Sequence, residues 1–219
     1  MCVSSTIVTE NKLKVTDLGV VDYLSAWNLQ KQIHQGVVDS QSENTLLLLE
    51  HPSVYTAGRR TQMQDRPLDN TPVIDVDRGG KITWHGLGQL VGYPIIKLKN
   101  STDVVGFVRE LETVLIEVCG EFGIQAQRYC ERSGVWIRDN KGDRKIAAIG
   151  LRVAKGVSMH GFALNVNPDL SAYLKIVPCG IVGAKITSIA AELTRDINID
   201  DVTPVIKKHI YPMLERVCL

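Results

Sequence analysis

The sequence predicts an α+β protein, a mixed β-sheet with flanking helices. Three observations carry that expectation. Strand-like segments outnumber helical ones and come in hairpin-like clusters, most clearly in the second half. One central segment has a clean helical period: Val104, Phe107, Val108, Leu111, Leu115 and Val118 recur at steps of three and four. No repeat, low-complexity tract or long Pro/Gly/Ser linker divides the 219 residues. One domain over 1–219 is therefore the simpler organisation, with residues 1–12 expected to be mobile.

Taken in order, Val20, Tyr23, Leu24 and Trp27 fall at helical spacing. "DSQSEN" interrupts, and "TLLLLEHP" reads as a buried strand that ends before Pro52, since the residue before a proline is pushed towards extended backbone. "YTAGRR" and "TQMQDRPLDNTP" read as a polar connection with turn residues. "VIDVDRGGKITWHGLGQLVGYPIIKL" holds two short apolar segments around Gly79–Gly80, a hairpin signal, and then a glycine-punctuated loop. The central helix runs from about Asp103 to Val118, with Gly120 as its stop. "IQAQRYC", "SGVWIR", "RKIAAIGLRV" and "HGFALNVN" read as successive strands, with "DNKGD" as a turn. The tail "DVTPVIKKHIYPMLERVCL" predicts a last helix with Pro204 in its first turn and Pro212 as a kink or break.

Composition narrows the class. Apolar residues make up 44% and charged residues 22%, an ordinary soluble balance. A formal net charge of +1 gives no strong argument for nucleic acid or an anionic membrane. "MCVSSTIVTENKLKV" has neither a secretory nor a transit pattern, and "TLLLLE" is too short to span a bilayer. The five cysteines, Cys2, Cys119, Cys130, Cys179 and Cys218, form no CxxC pair. A structural zinc is not expected, and a reduced compartment fits better than a disulfide scaffold. Each cysteine reads by default as a buried core residue, apart from Cys2 at a mobile terminus.

Polar chemistry gathers in three places. "RGGKITWHGLGQ" sets four glycines among Arg78, Lys81, Thr83, His85 and Gln89. Such a loop can offer N–H donors to a carbonyl or an anion, or can be a pair of tight turns with solvated side chains. It matches neither the P-loop nor the dinucleotide fingerprint. In "GDRKIAAIGLRV", Arg144 and Lys145 are adjacent in a strand and face opposite ways. One can face a cleft, although a solvated edge lysine is the plainer reading. In "VPCGI", Pro178 and Gly180 place Cys179 at a turn, where a thiol can stand at the mouth of a pocket. A thiol becomes a nucleophile as the thiolate and needs a partner for that. His85, His160 and Lys145 are candidates, and spacing alone does not choose between them.

These segments together resemble the octanoyltransferases, also called lipoate–protein ligase B. The matching stretches are "RGGKITWHGLGQLVGYP", "GVW", "RKIAAIGLRV", "HGFALNVNPD" and "IVPCGI", in that order over most of the chain. The resemblance implies a single catalytic domain built like the catalytic domain of biotin and lipoate ligases. It implies transfer of an octanoyl or lipoyl group from acyl carrier protein to one lysine of a lipoyl domain, in lipoate biosynthesis. The acyl-thioester cysteine maps onto Cys179 and the activating lysine onto Lys145. Substrate-binding stretches map onto Arg78, Gly79, Gly80, Lys81, Ile82, Thr83, Trp84 and His85, onto Ala148, Ile149 and Gly150, and onto Gly161, Phe162 and Ala163. His160 and Gln89 become candidate orienting groups.

The implied donor is a phosphopantetheine thioester, so no cofactor, metal or ATP is expected. Implied partners are acyl carrier protein, the lipoyl domains of 2-oxo acid dehydrogenase E2 subunits and the glycine cleavage H protein. No nucleic acid or membrane partner is expected, and the chain should be a monomer. Its implied place is the cytoplasm, or a mitochondrial or plastid matrix in a eukaryote. Arg59 and Arg60 are a candidate docking face for acidic partners. One position departs from the family: "HGLGQ" has Leu87 where relatives usually carry proline, which bears on the pocket rim and removes no catalytic group. The rival readings are a Cys–His thioester hydrolase, an ATP-dependent lipoate ligase and a binding domain that kept the pocket.

Overall fold

A computed structural model describes residues 13–69, 71–129, 132–176 and 185–219. The chain opens with β1 (Leu13–Val20), which the sequence reading does not anticipate, and then α1 (Tyr23–Val38). Next come β2 (Asn44–Glu50), β3 (Val54–Ala57), β4 (Val73–Asp75), β5 (Thr83–His85) and β6 (Gln89–Ile95). After α2 (Val104–Glu121) follow β7 (Gln127–Tyr129), β8 (Arg132–Asp139), β9 (Gly142–Ala154) and β10 (Val157–Asn165). The chain closes with β11 (Lys185–Ile186), α3 (Ile189–Leu193) and α4 (Ile199–Val217).

The main sheet runs in the order β1-β2-β6-β10-β9-β8-β7, with β11 alongside β9. β1 runs parallel to β2 and β11 parallel to β9, while β2, β6, β10, β9, β8 and β7 pair antiparallel. The expected mixed sheet with flanking helices is what forms. The leucine run shows why. Leu46 and Leu48 pack with Phe107, Leu111 and Leu115 of α2 and Ile206 and Ile210 of α4, while Leu47 and Leu49 pack with Ala26 and Val37 of α1. A strand buried on both faces reads as an unbroken apolar run. Each such leucine contributes roughly 1.5–3 kcal/mol by burial.

Several local expectations are corrected. Val20 lies in β1, and α1 buries Tyr23, Ala26, Gln30, His34 and Val37 while Leu24 is exposed. "YTA" belongs to β3 rather than to a polar connection. The Gly79–Gly80 segment is not a hairpin turn. β4 and β5 do not pair with each other but flank β3 in a separate three-stranded sheet. Tertiary contacts hold the loop between them: Gly79 N donates to Leu151 O at 2.9 Å, and Arg60 N donates to Gly80 O at 3.0 Å.

Helix ends differ too. Gly120 lies inside α2, and the residue with left-handed backbone beyond its end is Gly123, at φ +75. α4 starts at Ile199, five residues before Pro204, because Asn198 and Asp201 form a reciprocal capping pair. It continues through Pro212 to Val217, held by the buried face Val202, Ile206, Ile210, Met213 and Leu214. Apolar burial along that face outweighs the lost backbone bond.

Candidate active site

β5, β9 and β10, the start of α1 and the loop before β5 enclose a cavity of about 220 Å³. It gathers most of the residues singled out from the sequence: Arg78, Gly80, Lys81, Ile82, Thr83, His85, Lys145, Ala148, Ile149, Gly150, His160, Gly161, Phe162 and Ala163. Two stand apart. Trp84 does not line the cavity, because alternation along β5 turns it away from Thr83 and His85. Its Nε1 donates to Ser53 Oγ at 2.9 Å, and its ring packs edge-on against Tyr173. Gly79 is also outside the lining, tied by its N–H to β9. Leu87 is 59% exposed and does not line the cavity, so its expected place on the rim is not where the side chain sits. Cys179, with Pro178 and Gly180, lies outside the described residues, as do Cys2 and Cys130. Cys119 and Cys218 are buried, as expected, and burial pushes each thiol up to about 12.

Lys145 reaches the cavity through a β-bulge. Val135 pairs with Ala147 and Trp136 with Lys145, which leaves Ile146 as an extra residue on β9. In an unbroken strand, Lys145 and Ala148 would point to opposite faces. Here Ile146 and Ala147 both join the core under the helices, and Lys145 shares the cavity with Ala148 and Gly150. Its Nζ donates to Ser133 O at 3.0 Å and lies 4.7 Å from the centre of the Trp136 ring. Arg144 faces the other way, as adjacency requires. It is buried in ion pairs with Asp139 and Glu192 rather than solvated, and those hydrogen bonds raise its pKa further.

The other wall is built of aromatic and neutral polar groups. Asn165 Nδ2 donates to Thr187 O at 2.9 Å, so Asn165 Oδ1 accepts from Gln89 Nε2 at 2.9 Å. Gln89 Oε1 then faces His85 Nδ1 at 2.7 Å, which fixes the proton on Nδ1. The opposite nitrogen lies 3.4 Å from Thr56 Oγ1, whose lone pair is taken by Arg78 Nη2 at 2.9 Å. Gln89 thus holds the His85 ring by its contact at Nδ1. Burial first, then His51 and Arg78, hold His85 well below the ordinary imidazole value. His51 donates from Nδ1 to Val21 O and accepts from Tyr93 OH at Nε2, both at 2.7 Å. Burial lowers its pKa and raises those of Tyr93 and Tyr23, the last to about 12. Tyr23 stacks on His85 at 5.9 Å. His160 donates from Nε2 to Asp77 Oδ1 at 2.7 Å, and Asp77 also pairs with Arg152. Burial keeps that imidazole below its usual value, and the His160 hydrogen bond holds Asp77 ionised.

Sequence reasoning missed Tyr23, His51, Asp77, Tyr93, Arg132 and Ser133. The one available signal was adjacency: Asp77 directly precedes Arg78. The tyrosines and His51 come from elements that meet only in the fold. Among the described residues, no group of three or more His, Cys, Asp or Glu side chains is placed to hold a metal ion. No described helix is long and apolar enough to cross a membrane.

The mixed-sheet fold is shared with solved protein-lipoylating and biotinylating ligases. The archaeal bipartite lipoate protein ligase of Thermoplasma acidophilum superposes with TM-score 0.68 at 16% identity, over 94% of this chain and 84% of that one. A lipoate-protein ligase A bound with ATP gives 0.66 at 14% identity, over 94% and 85%. Biotin protein ligase of Aquifex aeolicus with biotin and ATP gives 0.54 at 15% identity, over 93% and 71%. Residues 22–211 match the family model of the lipoyl protein ligase A/B catalytic domain, and the chain belongs to that family. Its curated relatives are narrower. The octanoyltransferase of Salinispora tropica is 54% identical over 209 residues, spanning 94% of this chain and 98% of that protein. The octanoyltransferase of Mycobacterium tuberculosis H37Rv is 52% identical over 205 residues, spanning 94% and 88%. By that kinship the chain is a transferase.

Proposed function

We propose that the chain moves an octanoyl group from a carrier-protein thioester to a lysine of a lipoyl domain, through an acyl-cysteine at Cys179. Octanoyl transfer in lipoate biosynthesis follows from relatives at 50–56% identity named as octanoyltransferases. The thioester donor, the carrier and the E2 and H-protein acceptors are our reading. The observation that carries it is Lys145: a β-bulge turns its amine onto the wall of the cavity that unites the 78–85, 148–150 and 161–163 stretches.

The reaction divides in two. The Cys179 thiolate attacks the donor carbonyl, a new C–S bond forms, and the old C–S bond breaks to release the pantetheine thiolate, which takes up a proton. That proton comes from the Lys145 ammonium, which leaves a neutral amine for the second step; one thioester replaces another, so this step is nearly balanced. The acceptor amine then attacks the acyl-cysteine. A C–N bond forms, the C–S bond breaks, and Lys145 as general base takes the amine proton, which leaves the Cys179 thiolate beside the Lys145 ammonium, ready for the next donor. The amide product makes this step downhill, without ATP or a metal. A medium acyl chain gains about 0.8 kcal/mol per buried CH₂, which suits the apolar floor of Ile82, Ile149, Phe162 and Ala163. The neutral histidines supply hydrogen bonds without burying a charge against that chain. Arg60 and Arg132 line the same cavity from its exposed side, where acidic partners would dock.

Intact-protein mass after mixing with octanoyl carrier protein tests the scheme. Wild type should gain one octanoyl group, labile to hydroxylamine, and pass it to an apo lipoyl domain without ATP. Cys179→Ser should gain no such adduct. A labile adduct retained on Cys179→Ser would move the nucleophile elsewhere, and a requirement for free acid plus ATP would make the chain a ligase.

A further inference from the structure

We propose that Glu112 is a positioning residue for Lys145, acting through the one peptide group that joins Ser133 to Gly134. The inference rests on Lys145 being the working amine.

Glu112 lies on α2 under the sheet and is 0% exposed. A carboxylate in such a place is costly unless its oxygens are matched. Oε2 accepts from Arg109 Nη1 at 2.6 Å and lies 3.3 Å from Arg128 Nε. Oε1 does something else: it accepts the Gly134 N–H at 2.9 Å. That N–H and the Ser133 carbonyl belong to a single planar trans peptide, so they point in opposite directions. The carbonyl end accepts Lys145 Nζ at 3.0 Å. One rigid plate therefore has Glu112 at one end and Lys145 at the other. A negative charge on the N–H polarises the peptide and strengthens its oxygen as an acceptor.

The sheet does not set this plate by itself. The β8–β9 ladder ends at Val135, and Ser133 and Gly134 fall in the register shift of the β7–β8 ladder, between its Arg128–Val135 and Tyr129–Arg132 pairs, so neither is a ladder partner. Gly134 has φ +104, which an L side chain rarely adopts. A Cβ there would stand 2.5 Å from Ala147 O and 3.3 Å from Lys145 Nζ. This stretch of β8 thus carries no side chain at Gly134, meets Lys145 on the cavity side and is held from the helix side by Glu112. The competing role for Glu112 is a tie from α2 to β7 through Arg128, with no effect on Lys145.

The test uses full-length Glu112→Gln, Glu112→Leu, Arg128→Ala and Lys145→Ala. Steady-state transfer from octanoyl carrier protein, thermal unfolding and the Gly134 amide proton shift are measured on each. Glu112→Gln keeps an acceptor oxygen and loses the charge. Its kcat should fall about tenfold with KM unchanged, and the Gly134 proton should move upfield. Glu112→Leu should lose about a hundredfold, and Glu112→Gln recovers part of that loss. Arg128→Ala should melt lower yet keep kcat and the Gly134 shift. Should Glu112→Leu not fold, the near-isosteric Glu112→Gln carries the test. The proposal is overturned if folded Glu112→Gln shows a displaced Gly134 proton and wild-type kcat, or if Arg128→Ala reproduces the kcat loss. Full transfer by Lys145→Ala would overturn the reading of Lys145 and this inference with it. An inactive Lys145→Ala beside fully active Glu112 variants would overturn the inference alone.

Discussion

Lys145 Nζ and the carbonyl oxygen of Ser133 are 3.0 Å apart, joined across neighbouring strands at a bulge. That contact helps hold the amine on the cavity wall, and the two half-reactions of the proposed transfer ask different things of it. Acyl-cysteine formation needs a cation near the sulfur, while amide formation needs a base. Lys145→Ala should lower overall transfer by a factor on the order of 10²–10⁴. Lys145→Arg should form acyl-enzyme in a mass experiment and then stall, because a guanidinium does not give up its proton. Equal rates for both half-reactions in Lys145→Arg would remove the base role.

Three buried histidines make the protein sensitive to mild acid. His51, His85 and His160 all have lowered pKa values in the fold, burial being the first cause in each. In the unfolded chain each titrates near 6.5. Below that pH the unfolded state binds more protons, so stability is complete above about 6.5 and falls as pH drops towards the folded values. The slope should reach about 1.4 kcal/mol per pH unit for each histidine. Urea unfolding between pH 8 and 5 checks this, and a flat profile down to the carboxylate range would contradict it.

Gly161 has no room for a side chain. A Cβ there would stand 2.0 Å from Gly92 O and 2.7 Å from Pro94 Cδ, on the adjacent strand β6. Backbone is the nearest atom, so β10 and β6 must separate. Gly161→Ala should cost about 1–3 kcal/mol in denaturant unfolding and lower acyl affinity through the cavity wall. A wild-type unfolding midpoint would show that the pair of strands can give.

Arg60 is exposed, lines the cavity and, among the described residues, has no salt bridge. Arg60→Glu should raise KM for the acidic carrier protein by about tenfold at low salt. Turnover of a small octanoyl thioester should be spared. Equal KM values for both proteins, or a matching loss with the small thioester, would place the effect elsewhere.

Much of the site was legible because its parts are contiguous. The stretches around Arg78, Ala148 and Gly161 each carry their own pattern, and all three meet in one cavity. Trp84 shows the limit of reading a stretch as a block, since strand alternation sends it to the opposite side from His85. The Gly79–Gly80 segment shows another. Its local hairpin signal lost to long-range bonds with Leu151 and Arg60.

What the sequence alone determined was periodic: the layers, through runs such as Leu46–Leu49, while Lys145 was singled out by its resemblance to a family motif. What only the tertiary structure decided was direction. Lys145 faces the cavity because one extra residue, Ile146, resets the alternation of β9, and a bulge is a property of two paired strands. The protonation of His85 likewise follows from a chain of hydrogen bonds through Gln89 and Asn165 to Thr187, residues that span 102 positions in sequence from 85 to 187. Local pattern fixes which residues are apolar or reactive; packing fixes what each reactive atom faces.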